Sequence, residues 1–337
     1  MKKSALWGII AGSTVLVLAG GGLAAGEYVY TSGTVVPCAI NADDVNNSPE
    51  QFVTPAKGEG PFEGPGWDKW VGYDLSPYWM KNVPYEEVII PVADAINLSA
   101  WWITPAFPNG KTVIVTHGIG TSRRDFNALL PSSMLVKRGF NVLLVDSRDT
   151  GESTCTDGRH SAGQEESDDF AVVADWLVAE KAVKPESLGM FGVSGGAVAT
   201  SLLPAKTETV SAFAMEGTIF DFNAAATKEV EFQGFPGFLW QLALVSAQIF
   251  HGVNLTETSV TSAIDAAGDR PMLILHGDAD QRLDYQSSLD FVDYATSVGG
   301  NVQLETFAGA DHTEGMLTET DRYADVLASF FDANLAP

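Results

Sequence analysis

The chain has 337 residues, 45% of them hydrophobic and 18% charged, and a formal charge of −24. That length and apolar content fill one large α/β domain or two small ones and exclude a disordered chain. With 19 Lys and Arg against 43 Asp and Glu and no basic stripe, DNA and RNA are poor partners, because phosphate binding needs clustered cations.

The chain starts with Lys2-Lys3 followed by 23 uncharged residues, Ser4 to Gly26. As a helix that run would reach about 35 Å, the thickness of a bilayer core. Lysines precede it, whereas Glu27, Asp43 and Asp44 come before the next lysine, Lys57. This asymmetry predicts residues 1–26 as a membrane anchor with the N-terminus inside and the body outside the cell membrane. A cleaved signal peptide, processed near Leu23-Ala24-Ala25, is the competing reading, and it also exports the body. The two cysteines, Cys38 and Cys155, are free to pair there or to stand as unrelated thiols. No Cys, His or Asp grouping has metal-ligand spacing, so neither metal nor cofactor is expected.

Residues 27–84, with Gly58-Glu59-Gly60-Pro61 and Gly64-Pro65-Gly66-Trp67, read as a linker and irregular lead-in. Val88–Val92 and Leu98–Ile103 then form an antiparallel pair. From residue 112 short apolar runs alternate with helix-length segments, the signature of β-α-β units. Strands are expected at 112–116, 141–145, 187–193, 210–215, 271–275 and 302–307. Helices fill 125–138, 165–181, 195–203, 284–298 and 319–332. The fold class is α/β: a sheet of about eight strands, mostly parallel and antiparallel at its start, flanked by helices. The interval of about 218–265 breaks the alternation and carries the aromatic stretch Phe232 to Trp240, so it reads as a helical cap rather than an ordinary crossover.

Chemistry enters at Gly192-Val193-Ser194-Gly195-Gly196, a G-x-S-x-G sequence after an apolar strand. In such an elbow a serine sits on a strained strand-to-helix turn, flanked by glycines because a Cβ there would collide with neighbouring backbone. A serine hydroxyl needs a histidine to take its proton and a carboxylate to orient that histidine. Downstream, Leu273-Ile274-Leu275-His276-Gly277-Asp278-Ala279-Asp280 ends a strand with two aspartates, and Phe307-Ala308-Gly309-Ala310-Asp311-His312 ends another with a histidine. His312 alone lies C-terminal to the acids; His276 precedes them within its own turn, and His160 and His251 fall in a loop and in the cap.

These segments resemble the α/β-hydrolase superfamily, and the resemblance covers residues 85–333. It implies that Asp280, closing an H-G-x-x-D turn, is the acid, with Asp278 as the alternative. It also implies an oxyanion hole made by the backbone N–H of Gly195 and of Ile119, the latter from the H-G turn Thr116-His117-Gly118-Ile119-Gly120, braced by His117. Asp146-Ser147-Arg148-Asp149-Thr150-Gly151-Glu152-Ser153 is similar to the family's D-x-R-G-x-G-x-S turn, with Asp149 where glycine is usual. Asp146, Arg148 and Ser153 then hold that loop in place, and Glu165, Glu166, Asp168 and Asp169 serve the dipole of the next helix.

The resemblance implies a serine hydrolase that cleaves a carboxylic ester through Ser194, His312 and Asp280 without a cofactor, on a small-molecule or lipid-like acyl substrate that an aromatic cap would suit. A peptidase, a thioesterase or an acyltransferase uses the same scaffold. A non-catalytic envelope-binding module is the alternative from a different class, although all three residues it would have lost are present. A dehalogenase would carry aspartate at the elbow.

Overall fold

The computed structural model describes residues 20–41, 44–55 and 68–337. Most of the predicted membrane span, and the Gly- and Pro-rich part of the lead-in, lie outside the described residues. Among the described residues no helix is long and apolar enough to cross a membrane.

The chain divides into two compact units. The larger comprises residues 36–221 and 258–337 and is built on one eight-stranded sheet. Its strands are β1 (Tyr85–Ala93), β2 (Ile96–Ile103), β3 (Thr112–Thr116), β4 (Asn141–Val145), β5 (Leu188–Val193), β6 (Ala212–Glu216), β7 (Met272–Gly277) and β8 (Val302–Phe307). They lie in the order β1-β2-β4-β3-β5-β6-β7-β8. Only the β1–β2 and β2–β4 pairings are antiparallel. The central strands are buried at nearly every position, which is why β3, β4 and β5 read as continuous apolar runs rather than alternating ones. The architecture is an α/β-hydrolase fold with a mostly parallel sheet flanked by helices.

Helical crossovers follow the strands: α2 (Phe126–Val136), α3 (Gln164–Glu180) and α4 (Gly195–Leu202) in the first half, then α7 (Val260–Ala267), α8 (Tyr285–Ser297) and α9 (Thr320–Asn334) in the second. Short polar side chains start them: Asp125, Ser259 and Asp284 accept from backbone N–H groups in the first turns of α2, α7 and α8. Several predicted strand boundaries move by one to three residues. β6 begins at Ala212, not at residue 210, because the Val210 carbonyl accepts from Arg270 instead of joining the ladder. β7 runs on to Gly277 because its pairing with β8 continues to Phe307. Cys38 and Cys155 are joined by a disulfide across 117 residues, their Cα atoms 5.4 Å apart.

The smaller unit comprises residues 1–35 and 222–257, described from residue 20 onward. It holds α1 (residues 20–34), α5 (Phe222–Phe232), α6 (Leu239–Ser246) and a π-helical turn, Ala247–His251. This corrects two sequence boundaries. Residues 27–34 belong to a helix and not to a linker, and the insertion ends before α7, whose apolar side (Val260, Ala263, Ile264) is buried in the larger unit. Within the smaller unit α1 and α6 lie so close that a Cβ at Gly26 would collide with the carbonyl of Leu242. Glu27 accepts from Ser246 Oγ at 2.6 Å and meets His251 Nε2 at 3.0 Å, while Trp240 is buried and donates to Asn223 at 3.1 Å.

Candidate active site

Four strand ends of the larger unit bring the predicted site residues together at the carboxyl edge of the sheet, where open α/β sheets bind ligands. Ser194 follows β5 directly and has φ 53° and ψ −115°, a region that L-residues rarely occupy. The turn exists because its neighbours lack side chains. A Cβ at Gly192 would collide with the Gly196 carbonyl, and one at Gly196 would meet the His117 carbonyl oxygen at 2.5 Å. The Ser194 N–H donates to the Glu216 carbonyl at 2.8 Å, which holds the elbow against the end of β6.

His312 Nε2 lies 3.0 Å from Ser194 Oγ, and its Nδ1 lies 2.7 Å from Asp280 Oδ2. Ser194, His312 and Asp280 thus form one hydrogen-bonded chain, although 118 and 32 residues separate its successive members. Asp278 faces elsewhere, accepting from the Gly309 N–H at 2.6 Å, so the structure brings Asp280 and not Asp278 to the imidazole.

Asp280 is surrounded by donors. Oδ1 accepts the backbone N–H groups of Arg282 and Leu283, each at 2.8 Å. Oδ2 accepts from His312 and also from His276 Nε2 at 3.0 Å. Burial opposes ionisation, but the His312 charge and the hydrogen bonds from both imidazoles outweigh it and hold the carboxyl well below the usual carboxylate range. Asp280 is therefore an anion that can only accept, so His276 donates to it from Nε2–H, while its Nδ1 lies 2.6 Å from Ser288 Oγ. The sequence argument set His276 aside by its position. Its separation of four residues from Asp280, with both at the end of one strand, is the signal that could have placed it on the acid.

Ile119 and Gly195 are neighbours. A Cβ at Gly195 would collide with the Ile119 side chain and stand 3.0 Å from the Ile119 nitrogen. Gly195 opens α4, where the first N–H groups of a helix have no partner within it. His117 braces the Ile119 turn from beneath. Its Nδ1–H donates to the Gly118 carbonyl at 2.8 Å, and its Nε2 accepts the Ser147 N–H at 3.1 Å. Burial pushes its pKa down, keeping it the neutral donor and acceptor this bridge requires.

The 146–153 turn is held as expected in part. Ser153 Oγ donates to the Asp146 carbonyl at 2.8 Å and accepts from the Ser99 N–H at 2.9 Å. Arg148 reaches Asp169 through two bonds of 2.7 and 2.6 Å, so Asp169 anchors this loop and is not simply a dipole residue. Asp149, with φ 62°, occupies the glycine position in a left-handed conformation and accepts from Thr156 Oγ1 at 2.6 Å. Sequence reasoning missed Arg123. Fully buried, it donates from Nη1 to Asp146 Oδ2 at 2.7 Å and lies over the Trp101 ring at 4.6 Å.

Glu216, behind the elbow, is buried with Oε2 unpaired among the described residues. Burial pushes its carboxyl well above the ordinary range, against a lowering contribution from Tyr323, and the Asp280 charge adds to the rise. A folded-state pKa above the unfolded value of about 4.3 means stability that is present at low pH and lost as pH rises toward the folded value. Glu216→Gln removes that dependence. In thermal scans its Tm should exceed that of the wild type by a margin that grows from about pH 4 to about pH 8, at roughly 2 °C per kcal/mol in a chain this size. Parallel curves would show that Glu216 ionises freely in the folded protein.

The model of the prolyl oligopeptidase family matches residues 128–336, an interval that contains Ser194, Asp280 and His312. The chain belongs to the prolyl oligopeptidase family. This family member is a serine hydrolase. Among solved structures it is similar to an esterase from Pyrococcus furiosus (21% identity, TM-score 0.62), covering 85% of this chain and 99% of the esterase. It is also similar to the acylaminoacyl peptidase of Pyrococcus horikoshii (16% identity, TM-score 0.60), covering 76% of this chain and 42% of that one. A puromycin-hydrolyzing peptidase of Mycobacterium tuberculosis matches at 18% identity and TM-score 0.60, over 77% of this chain and 40% of its own. At these identities the likeness concerns the fold.

Proposed function

We propose that this prolyl oligopeptidase family member is an extracytoplasmic serine hydrolase that cleaves carboxylic esters of small or lipid-like acyl substrates. The reading is carried by the chain from Ser194 Oγ through His312 to Asp280 Oδ2, at 3.0 and 2.7 Å. His312 Nε2 takes the hydroxyl proton as Ser194 attacks the acyl carbon, and anionic Asp280 stabilises the imidazolium that forms. The N–H groups of Ile119 and Gly195 receive the developing oxyanion. Collapse of the tetrahedral adduct expels the alcohol, which takes the proton from His312. Water, activated by the same imidazole, then releases the acid and restores Ser194.

An ester is favoured by the match to the Pyrococcus esterase over nearly its whole length, against 42% and 40% of the two peptidases. The family match itself favours the second reading, a peptidase acting on an acyl or aminoacyl amide through the same residues. Export is supported by the disulfide, which persists in oxidising compartments, and by the charge asymmetry around Ser4–Gly26, read as an anchor with the N-terminus inside. A panel of p-nitrophenyl esters of increasing acyl length, run beside acylaminoacyl anilides and thioesters, tests the substrate class. Higher kcat/KM on esters is expected, and a preference for the anilides would assign the protein to the peptidases.

A further inference from the structure

The chain has a marked gap in its charge outside the N-terminal run. Residues 232–256 contain no Asp, Glu, Lys or Arg, although 18% of the chain is charged. An uncharged stretch normally marks a buried strand or helix, as the run from Ser187 to Ala205 does through β5 and α4. This one lies on the surface. Phe238 is 69% exposed, Ile249 58%, Phe250 57% and Val245 48%. Phe238 and Val245 lie seven residues apart, two turns along α6, and Ile249 and Phe250 follow in the π-helical turn. The exposed polar residues between them, Gln241 and Gln248, carry no charge.

The same unit contains α1. The described part of α1, from residue 20 onward, packs on α6 at Gly26 and Leu242. Glu27, Ser246 and His251 then tie the two segments together through hydrogen bonds. The charge-free stretch of 232–256 therefore packs against residues 22–26, the last part of the N-terminal uncharged run.

We propose that the exposed face formed by Phe238, Val245, Ile249 and Phe250 docks into the interfacial zone of a phospholipid bilayer. The inference rests on the membrane attachment proposed above and adds a second contact to it. Aromatic side chains with uncharged polar neighbours suit the headgroup boundary, where such a face sinks by about 5–10 Å. A protein of net charge −24 is repelled by anionic lipid, so a charge-free face fits zwitterionic headgroups. Docking would hold the exported hydrolase at the surface where lipid-like acyl substrates reside.

The test uses the full chain in phosphatidylcholine vesicles. Phe250→Cys and Phe238→Cys, each labelled with an environment-sensitive fluorophore, are compared in plain vesicles and in vesicles whose lipids are brominated near the headgroup end of the acyl chains. The native cysteines are paired and do not compete for label. Flotation with the vesicles and quenching of both labels, by about twofold or more at interfacial depth, are expected. Flotation without quenching would overturn the docking face and leave the anchor standing. Failure to float would overturn the anchor and docking together. A label shielded from aqueous iodide but untouched by brominated lipid would mean that a second copy of the chain covers the face, and would also overturn the proposal.

Discussion

Ser194→Ala is expected to lower kcat by at least about a thousandfold and to abolish labelling by a fluorophosphonate probe, while the protein remains folded. The hydroxyl is the group that reaches His312 Nε2, and its deletion removes one hydrogen bond at a partly exposed position. The strained φ of 53° is imposed by the chain around it, through the Gly192–Gly196 contact and the bond from the Ser194 N–H to Glu216, and alanine keeps both. Thermal stability should thus move by no more than roughly 0.5 kcal/mol. Full turnover by the variant would exclude Ser194 as the nucleophile. Absence of an adduct on folded wild-type protein would favour the non-catalytic module.

Arg123→Met should have the largest effect on stability. Arg123 lies in the connection between β3 and α2 that also carries Ile119, and its guanidinium is entirely buried against Asp146, itself 1% exposed. Removing the cation leaves a buried carboxylate that, among the described residues, keeps the Arg123 and Glu152 backbone N–H groups, at 2.6 and 2.9 Å, to stabilise it. Breaking one side of such a pair costs about 3–5 kcal/mol, a fall in Tm of about 6–10 °C. The ion pair from Arg123 to Glu152 contributes little of this, because the Glu152 side chain is 40% exposed. Arg123→Met combined with Asp146→Asn should recover part of the loss, since the second change removes the unpaired charge. A single variant as stable as the wild type would show that the buried Arg123–Asp146 pair contributes nothing to stability.

Much of the fold was legible because its signals are local. β3, β4 and β5 are buried on both faces, so each stands out as an apolar run between helix-length segments. The serine elbow was legible for a related reason: Gly192 and Gly196 are required by contacts with residues a few positions away along the chain or on an adjoining strand. His276 was only partly legible as a partner of the acid. The four-residue separation of His276 and Asp280 signals their proximity, but that both imidazoles share one carboxylate oxygen is decided by packing.

The sequence by itself determined the order of strands and helices and the residue types able to relay a proton, because backbone periodicity and side-chain chemistry act at short range. It also determined where charge is absent. Only the tertiary structure decided which of two aspartates meets His312, that a fully buried arginine underpins the Asp146 turn, and that α1 belongs with an insertion two hundred residues further on. Those choices turn on distances of about 3 Å between groups remote in the chain, which chain closure and the packing of the core set together.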